Sequence, residues 1–445
     1  MLNKQEAKNL ADKILSYSKL PECRVTIFAN ENVFIRFANN GITTSGYTLT
    51  QGVSIQATTA DKRNGSATVS ELTDDALRAG VEQAEQLARI SRPNPEDMPP
   101  LGAQKYPELT NFDEPTGTSR GDAMIGHVRA VIEASRAKKL TAAGFVQRSA
   151  NWVAVANKAG LFGFHRYTDS SLTNTVRNAS GSSSGWATQT STTLKDLDGE
   201  LAARIAVEKC VRGDNKRRLE PGKYTVILEP AAVSDLVGYL GFGFGARGAE
   251  QGQSFLSKKG GKQGETLVGE KLFPEHITLR SDPFNPKFAA SPWGPSLLPN
   301  EKITWIEKGV VKNLAYDRFW AGKAGKQPTP SVSNLLLEGQ DHKLDDLIKA
   351  ADKAILVTRL WYIRLLQPQT LQVTGLTRDG VFLVEKGKVT DPLMNFRWNE
   401  SPVRVLQNST MLTAPVRSQG AEAGSSIVPG IMATDFNFAS ISDAV

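Results

Sequence analysis

Four histidines (His127, His165, His276 and His342) and two cysteines (Cys23 and Cys210) are all the imidazole and thiol this chain offers. No two of the histidines stand at helical spacing, so neither HExxH nor HxxEH occurs. The cysteines are too far apart in sequence for a zinc finger and too few for a disulfide framework. Three short patterns invite chemistry and fail on context. Gly243-Phe244-Gly245-Ala246-Arg247-Gly248 satisfies GxGxxG, but it follows a predicted helix and leads into predicted coil, whereas a dinucleotide turn joins a strand to a following helix. Gly181–Gly185 satisfies GxSxG without the apolar strand that a nucleophile elbow needs before it. Gly261-Lys262 is followed by Gln263 instead of the Ser or Thr of a phosphate-binding loop.

What remains is a polar stretch, 250–282, in which Gln253, Ser254, His276 and Asp282 are candidates for lining a cleft. A hydrolase without a metal would have to draw on such scattered groups, and no local nucleophile signature marks them. Asp341 and His342 precede a predicted helix over 343–353, where Asp341 reads as its cap.

The elements that would position these residues are legible in outline. The run Pro221–Leu256 opens as a strand (Tyr224, Val226, Leu228) after a Pro-Gly turn. It continues as a helix with Val233, Leu236, Val237 and Leu240 at 3–4 spacing, then breaks into glycines at 241, 243, 245 and 248. Upstream, amphipathic spacing predicts helices over 4–18, over DDALRAGVEQAEQLAR after its cap Thr73, over 119–136 and over about 196–210. Between them lie strand-like runs: RVTIFA and VFIRFA split by a turn at Asn30-Glu31-Asn32, then GFVQRSANWVAVAN, then GLFGFHRYTDSSLTNTV, with RNASGSSSGWATQ read as a loop. Beyond 220, short strands dominate, VRVLQN among them. The expected class is α+β: an N-terminal α/β region of two helix-plus-antiparallel-sheet units (1–105 and 106–219), then a mainly-β C-terminal domain (220–445).

Composition narrows the function classes. At 445 residues the chain is long enough for two or three domains. No apolar run is long enough for a membrane helix, and the N-terminus is an amphipathic helix with acidic residues and not a signal peptide, so a cytoplasmic location is expected. The net charge is +7 and the pI about 9.2, but the basic residues are dispersed and the densest run, Arg212–Arg218, reads as a solvated loop. Nucleic acid is therefore not the expected partner.

Along its whole length the chain resembles the TldD/PmbA family. The resemblance is carried by the order and spacing of RFANNGITTS, GVSIQATTADKRNGSATVSEL, VAVANKAGLFGFHRYTDSSLT, LEPGKYTVILEPAAVSDLV, TPSVSNLLLEG, TGLTRDGVFLVEKGKVTDPLMNFRWNESPVRVLQN and GSSIVPGIMATDF. It implies a cytoplasmic dimer that handles unfolded or short peptides in an internal chamber. TldD-type members resemble zinc peptidases, with HExxxH on the helix after the strand and a cysteine ligand near the C-terminus. PmbA-type members, also called TldE, lack these ligands and serve as the partner subunit. With ILEP as anchor, the ligand positions fall here on Gly238, Tyr239 and Gly243, and the C-terminal stretch Arg417–Gly424 has no cysteine. The resemblance thus implies a TldE/PmbA-type chain with no metal cofactor, paired with itself or with a TldD-type zinc subunit. A regulatory role toward a DNA-handling enzyme is the alternative that the family's old label, gyrase modulator, suggests.

Overall fold

The computed structural model describes residues 2–288 and 290–443. The α+β class holds. The N-terminal region is one six-stranded antiparallel sheet, formed by β1 (Glu22–Ala38), β2 (Gly41–Thr58), β3 (Asn64–Val69), β4 (Thr141–Asn157), β5 (Phe162–Arg177) and β6 (Ser184–Ser191). Its order is β3-β2-β1-β4-β5-β6, with β1 and β4 side by side at the centre. The two expected units are thus halves of a single sheet.

The halves repeat one another. Each runs helix, two long strands, short strand, helix: Lys4–Tyr17 to Asp74–Ile90 in the first, Ile125–Ala137 to Gly199–Arg212 in the second. The short strands carry matching glycines. A Cβ on Gly65 would overlap the backbone of Ala84 and Ala88, and one on Gly185 would overlap that of Ala206 and Cys210. Each glycine lets the closing helix lie against its strand.

Two sequence expectations change here. No turn breaks the chain at 30–32, and β1 runs straight through it. Asn30 and Asn32 are polar because they bond sideways, Asn32 to Asn30 and Asn30 to Asn151 on β4. The small polar loop expected after 177 is in good part β6, since Gly185, Trp186 and Ala187 pair with Val176, Thr175 and Asn174 of β5. Its serines and Gly185 disguise the strand, while Trp186, Thr188 and Thr190 favour it once β5 lies alongside.

The C-terminal domain has a seven-stranded and a six-stranded sheet, with helix Pro230–Gly241 packed on both. Strand Gly222–Leu228 sits inside the larger sheet, antiparallel to Ile431–Ser442 and parallel to Lys353–Gln367. Val226, Leu228, Val233, Leu236, Leu240, Phe244, Trp305 and Trp398 share one core. The segment VRVLQN is a helix, Pro402–Gln407, and not a strand. Pro402 is at its first position and the Ser401 hydroxyl accepts from Val403 N–H at 3.2 Å, a start signal that outweighs the valines. Asp341 is not the cap of the next helix back, which spans Leu344–Ala350 and begins after Lys343.

The two regions meet through paired side chains. Lys209 and Glu229, both largely buried, are 2.6 Å apart. Arg417, on strand Val416–Gln419, pairs with Asp169 on β5. The connecting segment 101–113 is clamped against β5, where buried His165 stacks on Tyr167 at 5.5 Å, meets the edge of Trp293 at 6.4 Å and lies 3.5 Å from Asn111 Nδ2. No helix among the described residues is long and apolar enough to cross a membrane.

Candidate functional site

Helix Pro230–Gly241 starts cleanly because proline stands in its first turn, where no N–H is needed. The residue before it, Glu229, makes no cap and turns instead to Lys209 and to the Thr358 hydroxyl, 3.3 Å away. One face of the helix, Val233, Leu236, Val237 and Leu240, is core. The stripe beside it is small: Ser234, Gly238 and Gly241 recur at 3–4 spacing. Against it lies the loop Gly420–Gly424, which joins strands Val416–Gln419 and Ser425–Val428.

A single carboxylate holds that loop. Asp235 is fully buried and accepts three backbone N–H bonds, from Ala421 at 2.9 Å, Glu422 at 2.8 Å and Ala423 at 2.9 Å. Burial pushes its carboxyl above the ordinary carboxylate range, and the three N–H donors pull the other way. Ser234 stands beside it, 2.7 Å from the Ser426 hydroxyl and 3.2 Å from the Gly424 carbonyl. Neither residue was singled out from sequence. The available signal was an acid in the middle of an otherwise apolar helix, AAVSDLVGYLG.

The clamp brings Gly238 onto Ala423, so closely that a Cβ on the glycine would overlap that of the alanine. A Cβ on Gly243 would overlap the ring of Phe255. Tyr239 turns away, and its hydroxyl donates to the Ile363 carbonyl at 3.0 Å. The three positions named from sequence thus contain no imidazole, thiolate or carboxylate, and two have no room for a larger side chain. Zinc does not fit them. Among the described residues no group of three or more His, Cys, Asp and Glu could hold a metal ion.

Beside this contact opens a cleft of about 390 Å³, walled by the small stripe, by Phe242, by Ser331–Ser333 and by Ser425 and Ser426. Among the described residues, no charged side chain lines it. It offers hydroxyls and apolar surface, and among the described residues no imidazole stands in its walls to activate a serine. Phe242, at its rim, is 79% exposed.

The other candidates lie elsewhere and are not brought together. Gln253 is exposed on the turn after helix Ala246–Glu250. The Ser254 hydroxyl donates to the Gly243 carbonyl at 2.6 Å. His276 is bonded to the Ser409 hydroxyl at 2.9 Å, and burial lowers its pKa. Asp282 is paired with Lys302 at 3.0 Å and accepts from Phe284 N–H at 3.2 Å. None of the four lines the cleft.

Comparison with known proteins decides the lineage. A model of the PmbA/TldA metallopeptidase C-terminal domain matches residues 221–440, and a model of domain 1 of the same metallopeptidases matches residues 25–88. The chain belongs to the PmbA/TldD family. The first match includes both the helix and the clamped loop. Solved structures of similar fold include TldE from Thermococcus kodakarensis, at TM-score 0.84 and 21% identity over 97% of this chain and 99% of that one. Two candidate modulators of DNA gyrase have the same fold. The Bacteroides thetaiotaomicron protein superposes at TM-score 0.84 and 20% identity over 99% of this chain and 100% of its own. The Thermotoga maritima protein does so at TM-score 0.82 and 16% identity over 96% of this chain and 99% of its own. At these identities the likeness establishes the fold. An uncharacterized protein of Methanocaldococcus jannaschii is 28% identical over 138 residues, and the match spans 28% of this chain and 31% of that relative.

Proposed function

We propose that this member of the PmbA/TldD family is a TldE/PmbA-like subunit of a peptide-degrading assembly, without a zinc site of its own. In this reading it dimerises, with itself or with a zinc-bearing TldD-type chain, and contributes peptide binding. The observation that carries it is the packing of Gly238 on Ala423. The helix and the C-terminal loop that would supply ligands in a zinc-bearing relative do meet, and small side chains fill the junction. The framework is retained and the ligand chemistry is not.

The cleft beside the junction suits an extended peptide better than it suits catalysis. Its serines and backbone offer hydrogen bonds that are indifferent to sequence, and Phe242 offers apolar surface at the rim. A self-sufficient serine hydrolase gains nothing from Ser254 and His276, which are bonded to Gly243 and Ser409 and not to each other.

The test is to purify the chain alone and measure bound zinc by elemental analysis alongside hydrolysis of an unfolded protein. Substoichiometric zinc and no hydrolysis are expected, with binding of a fluorescent extended peptide retained. Stoichiometric zinc with robust hydrolysis ends this reading.

A further inference from the structure

The Phe255 ring that packs on Gly243 also walls a second cavity, of about 380 Å³. It lies between the segment 255–272, the turn that joins strands Lys353–Gln367 and Gln372–Glu385, and helix Pro402–Gln407. Phe255 is buried, and Leu267, Leu272 and Val403 add half-buried apolar walls. None of these residues lines the cleft beside Gly238.

The polar groups of this cavity are unevenly engaged. Glu400, its side chain 3% exposed, accepts from Ser401 N–H at 2.8 Å and from Asn437 N–H at 3.2 Å, so its acceptor needs are met within the protein. The cations are not so occupied. Arg404 is half exposed with its Nε 3.6 Å from Glu400, and its guanidinium donates no hydrogen bond among the described residues. Lys259 is exposed and pairs with no acid among the described residues. The carboxamides of Gln369, Gln372 and Gln407 line the same cavity and are also without a hydrogen bond among the described residues.

We propose that this cavity takes the C-terminal residue of a peptide, its free carboxylate between Lys259 and Arg404 and an apolar side chain against Phe255, Leu267, Leu272 and Val403. Charge selects a monoanion. Lys259 and Arg404 against Glu400 leave one positive charge unmatched, which a carboxylate balances and a dianion would overshoot. The planar fork of Arg404 suits a carboxylate. The carboxamides both donate and accept, as a peptide group requires. A volume near the lower end of ligand sites suits one residue and its amide better than a long segment. The exposed Lys259, Gln369, Arg404 and Gln407 leave a mouth through which the rest of the peptide departs. This inference rests on the reading of the chain as a peptide binder and names the end of the peptide that it holds.

The test is fluorescence anisotropy on the full chain, with an N-terminally labelled, uncharged hexapeptide ending in leucine, made as the free acid and as the amide. The acid is expected to bind roughly tenfold more tightly, the difference that charge-assisted hydrogen bonds to one carboxylate make. The acid ending in serine is expected to bind roughly tenfold more weakly than the acid ending in leucine, because it buries less apolar surface. Lys259→Gln/Arg404→Gln, with its fold checked by circular dichroism, is expected to bring the leucine acid down to the affinity of the amide. Lys259→Gln alone, at an exposed position, is expected to remove part of the preference. Equal affinity for acid and amide in the wild type, equal affinity for leucine and serine acids, or an acid preference that survives in the double variant overturns this site and leaves the peptide-binding reading intact. A double variant that binds neither form, beside a Lys259→Gln variant with the full preference, overturns it as well. A wild type that binds neither acid nor amide overturns both.

Discussion

Gly238 and Ala423, far apart in sequence, are packed in contact because Asp235, three residues before the glycine, holds the loop that carries the alanine. The helix and loop therefore act as one unit, and each limits the size of side chain the other can carry.

Gly238→Ala tests that limit. Helix propensity alone would make the change mildly stabilising, by up to ~1 kcal/mol. The overlap with Ala423 works against it, and overpacking of this kind costs about 1–3 kcal/mol. The net expectation is a lower denaturant midpoint for Gly238→Ala, with most of the loss recovered when Ala423→Gly is added. A Gly238→Ala variant as stable as wild type would show that the loop moves aside freely.

Phe242 separates binding from folding. Its ring is 79% exposed and meets Tyr239 edge-on at 6.1 Å. Phe242→Ala is expected to change stability by no more than about 0.5 kcal/mol. If the cleft receives peptide, the same change weakens binding of a fluorescent extended peptide by roughly tenfold, about 1.4 kcal/mol. Unchanged affinity by anisotropy would move the peptide elsewhere.

His165 should make the fold acid-sensitive. Burial lowers its pKa from 6.5 to about 4. Between those values the unfolded chain binds a proton that the folded chain does not, so stability rises with pH through this window and falls as pH drops. The shift corresponds to roughly 3 kcal/mol across the window. Thermal melts between pH 4 and pH 6.5 should show a steep slope in wild type and a shallower one in His165→Gln. Equal slopes would place the acid sensitivity on other groups.

The sequence by itself determined the class of fold and the main helices. Helical periodicity and strand alternation are local properties, and residue chemistry is read directly. Leu236, Val237 and Leu240 announce a buried helix face wherever that helix packs, and Gly238, Tyr239 and Gly243 cannot supply an imidazole in any fold. What escaped were properties set by neighbours distant in the chain. Asn30 and Asn32 look like a turn until β4 lies alongside, and VRVLQN looks like a strand until Ser401 and Pro402 start a helix in place. Residues 184–189 look like a loop until β5 pairs with them. The matching roles of Gly65 and Gly185 are invisible in sequence, because a glycine needed for close helix approach has the same letter as one in a turn. Only the tertiary structure placed Ala423 on Gly238 and laid the chain's own linker along β5. Each of those outcomes depends on which segments share space, and a linear pattern does not carry that information.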